Sequence, residues 1–207
     1  MIPALLVLAL LSSATTPDAS ALGQRVQGHY EKTKDLEASF VQTYTYSAAG
    51  RSQTSRGTLR VKKPGKLRWD YVDPAKKTIV VNGSRLVQYE PEENQAYVDE
   101  HFDASAMSAA VTFLLGKGKL EREFELSLSP GAGGRLVLTP RKADARVEQV
   151  VLTVSESGEV TDTRVVDGSG NVNQIAFQNL RRNVGLKDDV FVLDLPKDVH
   201  RVKAPGQ

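Results

Sequence analysis

From Leu36 onward the chain alternates. Leu36, Ala38, Phe40, Gln42, Tyr44 and Tyr46 share one parity, and Glu37, Ser39, Val41, Thr43 and Thr45 take the other. Side chains of an extended strand point to opposite faces in turn, so this pattern predicts a strand with one oily face. The pattern then recurs along the chain, each time cut by turn-forming residues. Ala48-Ala49-Gly50 ends the first run. Residues 58–63 stop at Pro64-Gly65, and residues 66–71 stop before Asp73-Pro74. Residues 78–81 end at Asn82-Gly83, a dipeptide suited to tight hairpin turns, and residues 86–89 form the partner, ending at Glu90-Pro91. Further strands are expected over 95–98, 124–128, 135–138, 147–154, 160–166, 173–180 and 191–193. Ser157-Gly158, Asp167-Gly168 and Ser169-Gly170 supply turns between them.

Two segments leave this period. Thr16-Pro17-Asp18 reads as a helix start: a capping hydroxyl, proline at the first position, and an acid in the first turn. Leu22, Val26 and Tyr30 follow at every fourth residue, giving one apolar stripe on a helix expected to end near Lys34. Asp103 can cap a second helix carrying Met107, Ala110, Val111, Leu114 and Leu115, which Gly116 can close. The expected fold is mainly β (α+β). It is a single curved, mostly antiparallel sheet of about ten or eleven strands, because strands joined by short turns curl at that number. Helices with one apolar stripe would cover its concave face. The 207 residues show no fixed repeat and no linker, which suits one domain. Alternation alone leaves two interiors open: an ordinary closed core, or an open sheet roofed by helices.

Composition removes several classes of function. There is no cysteine, so disulfides, thiol nucleophiles, thiolate metal sites and a lipid-modified N-terminal cysteine are excluded. The 27 Lys+Arg and 25 Asp+Glu are spread along the chain, without the clustered basic face that nucleic acid requires. His29, His101 and His200 lack ligand spacing, and Gly131-Ala132-Gly133-Gly134 lacks the lysine and context of a phosphate loop. No Gly-x-Ser-x-Gly and no defensible pair of catalytic carboxylates occurs. The residues therefore point to a binding protein rather than an enzyme, with no metal and no cofactor. Residues 2–11 are apolar except for Pro3, well short of the roughly 20 residues that span a bilayer. Ser12-Ser13-Ala14 follows, so residues 1–14 are expected to be a signal peptide, with Ala19-Ser20-Ala21 as a later cleavage point. No basic residue precedes the apolar run. The mature chain is expected to be exported to the periplasm.

The segment Leu36-Glu37-Ala38-Ser39-Phe40-Val41-Gln42 resembles the early part of the outer-membrane lipoprotein carrier family (the LolA type). So does the run from Gly57 to Tyr71, including Lys63-Pro64-Gly65-Lys66-Leu67-Arg68-Trp69, with Pro74 beyond it. Asn82-Gly83, Leu86-Val87-Gln88-Tyr89-Glu90-Pro91, Gln95 and Phe113-Leu114-Leu115-Gly116 continue the likeness. Leu138-Thr139-Pro140 and Phe191-Val192-Leu193 with Pro196 are weaker echoes. The resemblance implies an unclosed half-barrel with a helical lid, in one carrier domain over residues 15–207. It implies a monomer that takes acylated lipoproteins from an ABC-type release complex of the inner membrane and hands them to an outer-membrane lipoprotein acceptor.

On that reading, Leu36, Phe40, Leu59, Val61, Leu67, Trp69, Tyr71, Val87 and Tyr89 are the expected lining for acyl chains. Leu22, Val26, Met107, Val111, Leu114 and Leu115 are the expected lid residues. Lys63 has the parity of Leu59 and Val61 and stands where the family often carries an arginine that latches the lid by bonding its backbone. Lysine keeps the charge without the planar multi-donor fork. The competing view is a surface lysine with a buried stem. A carrier or sensor of another lipid or glycolipid on the same half-barrel is the alternative function. Arg60, Lys62 and Arg68 are basic residues suited to docking, with no partner assigned to them.

Overall fold

The computed structural model describes residues 18–103, 118–130 and 134–203. The expected signal peptide and the second helix, with Met107, Val111, Leu114 and Leu115, lie outside these residues. The first helix, α1 (Ala19–Glu31), is capped by Asp18, whose carboxylate accepts the Ser20 backbone N–H at 3.2 Å. The cap therefore falls two residues after the expected Thr16, on the acid assigned to the first turn. The helix also stops short of Lys34. Thr33 turns its hydroxyl back onto the His29 carbonyl (2.8 Å), and the chain goes extended at Asp35.

The strands are β1 (Asp35–Tyr46), β2 (Arg51–Lys62), β3 (Lys66–Asp73), β4 (Lys77–Asn82), β5 (Arg85–Glu90) and β6 (Gln95–Asp99). After a single-turn helix, α2 (Leu120–Glu123), come β7 (Phe124–Leu128), β8 (Arg135–Pro140), β9 (Gln149–Val154), β10 (Val160–Val166), β11 (Val172–Arg182) and β12 (His200–Lys203). Among the described residues they form one sheet in the order β12-β6-β5-β4-β3-β2-β1-β11-β10-β9-β8-β7. The pairings are antiparallel except β12 on β6. The edges β7 and β12 do not pair with each other, so the curved sheet stays unclosed, as expected.

The twelve strands in that order include one that the alternation did not announce. His200–Lys203 is short and lacks an apolar parity. Conversely, the expected strand over 191–193 is absent. Asp188–Phe191 is a 3-10 turn, and Phe191 is a buried plug rather than a ladder residue.

Register fixes the inner face. Leu36, Val61, Leu67, Val81 and Leu86 stand opposite one another on successive strands, as do Ala38, Leu59, Trp69 and Ile79. Phe40 faces Gly57 on one side and Phe177 on the other. Across the far half, Leu126, Leu138, Val150 and Val165 continue the wall. Leu22, Val26 and Tyr30 of α1 are buried in the same cluster. Gly57 permits a close approach that no side chain allows: a Cβ there would lie 1.9 Å from the Asp70 carbonyl oxygen and 2.9 Å from the Phe40 ring. The β2–β3 register shifts at this point, a local bend of the kind that curves a sheet.

The outer face holds a second, smaller core. Val80, Val87 and Ala96 are buried there, outside the main cluster, as are Phe191 and Val199 from the segment after β11. That segment crosses β3 and β4: Arg68 donates to the Val190 carbonyl at 3.1 Å and Asn82 to the Phe191 carbonyl at 3.4 Å. This corrects the expectation for Val87 and Tyr89, which fall on the outer parity opposite Val80 and Thr78. The Asn82–Arg85 hairpin pair puts Leu86 and Gln88 inside instead.

Truncating the outer plug tests this account. Phe191→Ala is expected to cost about 3–5 kcal/mol, as for other buried Phe deletions. Urea unfolding measures the loss, and limited proteolysis should show new cleavage after Arg182.

Candidate functional site

Three aromatic rings stand together on the inner face. Phe40 meets Trp69 edge-on at 5.2 Å and Tyr71 edge-on at 5.1 Å, while Trp69 and Tyr71 stack 6.2 Å apart. Leu36, Phe40, Leu59, Val61 and Leu67 belong to the same buried cluster as Leu22 and Val26, and Trp69 and Tyr71 pack against it. The wall changes character at Tyr71. Its hydroxyl donates to Gln42 Oε1 (2.8 Å), whose amide donates to Asn173 Oδ1 (2.8 Å). The Lys77 ammonium lies 4.7 Å from the Tyr71 ring centre. Beyond is a cleft of about 220 Å³ lined in part by the polar side chains of Gln53, Ser55, Lys76, Lys77 and Glu90. Burial pushes the Tyr71 phenol up to about 12, and the bond to Gln42 only partly offsets that. Trp69 Nε1 is buried with no hydrogen-bond partner among the described residues. Leaving such a donor empty costs about 1–3 kcal/mol.

The opposite end of α1 is tied down. Lys63 Nζ donates to the Tyr30 carbonyl of α1, and the Lys63 backbone N–H donates to the Lys34 carbonyl (2.8 Å). Burial lowers the Lys63 ammonium pKa below its ordinary value, with the Glu31 charge opposing. Beside it, buried Asp35 accepts the backbone N–H groups of Val184 (2.7 Å) and Gly185 (3.2 Å). Asn183 accepts the Lys34 N–H (2.8 Å) and donates to the Lys32 carbonyl (3.3 Å). The sequence reading missed Asp35 and Asn183. The signal for the second was there, an asparagine two residues before a glycine at a strand end. Asn183 has φ +57°. His29 is buried with Nδ1 at 3.1 Å from the Ser157 carbonyl oxygen, a structural contact.

The basic residues considered for docking are occupied on the outer face. Arg60 pairs with Glu37 and Asp70, and Arg68 with Asp70. Lys62 and Lys66 both reach Asp188, and their bonds hold its carboxyl down at about 2. Among the described residues, no group of three His, Cys, Asp or Glu is placed to hold a metal. No helix among them is long and apolar enough to cross a membrane.

An unclosed sheet with an oily inner wall under a tethered helix defines a class of half-barrel proteins. Residues 31–194 match the family model for the outer membrane lipoprotein carrier protein LolA, and the chain belongs to that family. It is similar to the outer-membrane lipoprotein carrier protein of Dechloromonas aromatica, at 31% identity over 168 residues, 80% of each chain. It is also similar to the protein of that name in Pseudomonas aeruginosa strain PAO1, at 28% identity over 193 residues, 93% of this chain and 92% of the other. The fold matches an uncharacterized conserved protein from Thermus thermophilus, with a TM-score of 0.55 and 12% identity, over 90% of this chain and 99% of that one.

The Tyr71 phenol gives a pH test with a definite sign. Unfolded, it ionises near its ordinary 10.0; folded, it stays neutral to about 12. Its contribution to stability is fully present below the lower value and is lost as pH rises toward the upper one. Tyr71→Phe should therefore flatten the fall in stability over that alkaline window, read from urea midpoints at successive pH values.

Proposed function

We propose that this protein is a periplasmic chaperone that shields the acyl chains of lipoproteins and ferries them from the inner to the outer membrane. The observation that carries the reading is the continuous apolar inner wall beneath α1. Each methylene removed from water is worth roughly 0.8 kcal/mol, so a lipoprotein with several chains needs such a wall to cross an aqueous space. Acceptance and release are then partition equilibria and need no catalytic group. Leu36, Phe40, Leu59, Val61, Leu67, Trp69 and Tyr71 are the residues proposed to meet the chains. Leu22 and Val26 of α1, together with Met107, Val111, Leu114 and Leu115, are proposed to roof them. The cargo arrives from an ABC-type release complex and leaves to an outer-membrane acceptor, the carrier acting as a monomer after its signal peptide is removed.

Lys63 serves as the latch of the empty carrier. Its bond to the Tyr30 carbonyl joins the sheet to α1, which supports this role over that of a free surface lysine. A bond from a charged donor contributes about 1.5–3 kcal/mol, so losing it should shift the closed-to-open ratio at least tenfold. Lys63→Ala should accordingly raise uptake of a hydrophobic dye by the empty protein; unchanged uptake removes the latch. The carrier function itself is tested with inner-membrane vesicles loaded with a lipoprotein. Adding this protein should bring lipoprotein into the soluble fraction as a complex, and no release above the control would falsify the carrier reading.

A further inference from the structure

We propose that the Trp69 indole N–H receives an acyl carbonyl of the bound lipid, the ester or amide oxygen that joins a fatty chain to its head group. The inference rests on the carrier reading above and adds which protein atom reads which cargo atom. Nε1 is buried with no acceptor among the described residues, whereas buried donors are nearly always satisfied. Phe40, edge-on at 5.2 Å, offers at most a ring face, a far weaker acceptor than a carbonyl. The ring is held in place rather than free to turn outward. It stacks on Tyr71 and sits between Leu59 of β2 and Ile79 of β4.

Position along β3 adds a second argument. Leu67, two residues before, is fully buried in the oily cluster. Tyr71, two residues after, opens the polar chain through Gln42 to Asn173 and borders the cleft that holds Gln53, Ser55 and Lys77. Trp69 therefore stands where the wall passes from apolar to polar. An acyl carbonyl occupies the same place in its own molecule, between hydrocarbon and the polar glyceryl or peptide part. An indole N–H donates and cannot accept, so it selects for a carbonyl and gains nothing from plain hydrocarbon. Lipid chains joined through acyl carbonyls are thereby favoured over alkyl chains of equal length.

Trp69 is the chain's one tryptophan, so its indole N–H gives a single nuclear magnetic resonance cross-peak and no variant is needed to assign it. Three synthetic lipopeptides of equal chain length serve as probes. One carries ester and amide acyl chains, one only an amide acyl chain with ether-linked others, and one only ether-linked chains. The cross-peak should move downfield with the first and not with the third; a shift with the second assigns the amide, and its absence the ester. Trp69→Phe, which keeps an aromatic ring, should abolish a preference of roughly five- to tenfold for the first probe over the third. An equal shift with the carbonyl-free probe, or an undiminished preference in Trp69→Phe, overturns the proposal while leaving the carrier reading intact. Failure of all three probes to bind the native protein overturns the carrier reading and this inference with it.

Discussion

The fold depends on β1 being paired on both sides. It joins two meanders, β2 to β6 on one flank and β11 back to β7 on the other. Because side chains alternate with a period of two, a slip of one residue in β1 would turn its own apolar set away from those of both flanks at once. Asp35 opposes that slip. It is buried at the first residue of the strand, and its polar side chain is tolerated there because backbone N–H groups of Val184 and Gly185 meet it. The same turn, through Asn183, grips the end of α1. One cluster thus sets the sheet register and the place where the helix leaves the sheet.

Two cores share one curved sheet, and they differ in what they ask of their side chains. The inner one is wide and ends in an aromatic group with a polar border. The outer one is a strip closed by Phe191 and Val199, with the chain after β11 strapped across it by Arg68, Asn82, Lys62 and Lys66. The strap braces the half of the sheet that carries Trp69 and Tyr71. The inner wall can then remain oily without depending on its own packing for rigidity.

Much of this was legible in the residues. Period-two runs and their turn residues located most strands, and the Leu22, Val26 and Tyr30 stripe located the face of α1. The inner set on β1 to β3 followed from parity because their other parity is polar apart from Val41 and Val72. On β5 the same reasoning failed. Leu86-Val87-Gln88-Tyr89 has an apolar residue on each parity, and only the hairpin register tells which one faces in. Residues 191–193 read as a strand because a buried plug and a buried ladder residue carry the same hydrophobic signal. Asp35 was invisible for another reason: its partners are backbone groups about 150 residues away in the chain, which no local pattern encodes.

The parallel strand β12 bears on how such a sheet behaves at high concentration. An unclosed sheet has two borders at which a further copy could add, strand upon strand. The border beyond β6 is taken by a strand of four residues, opened by His200 and Arg201. It is too short to template a long ladder, and its basic character repels an identical strand approaching from outside. The half-barrel is in this way kept from adding copies of itself along that border.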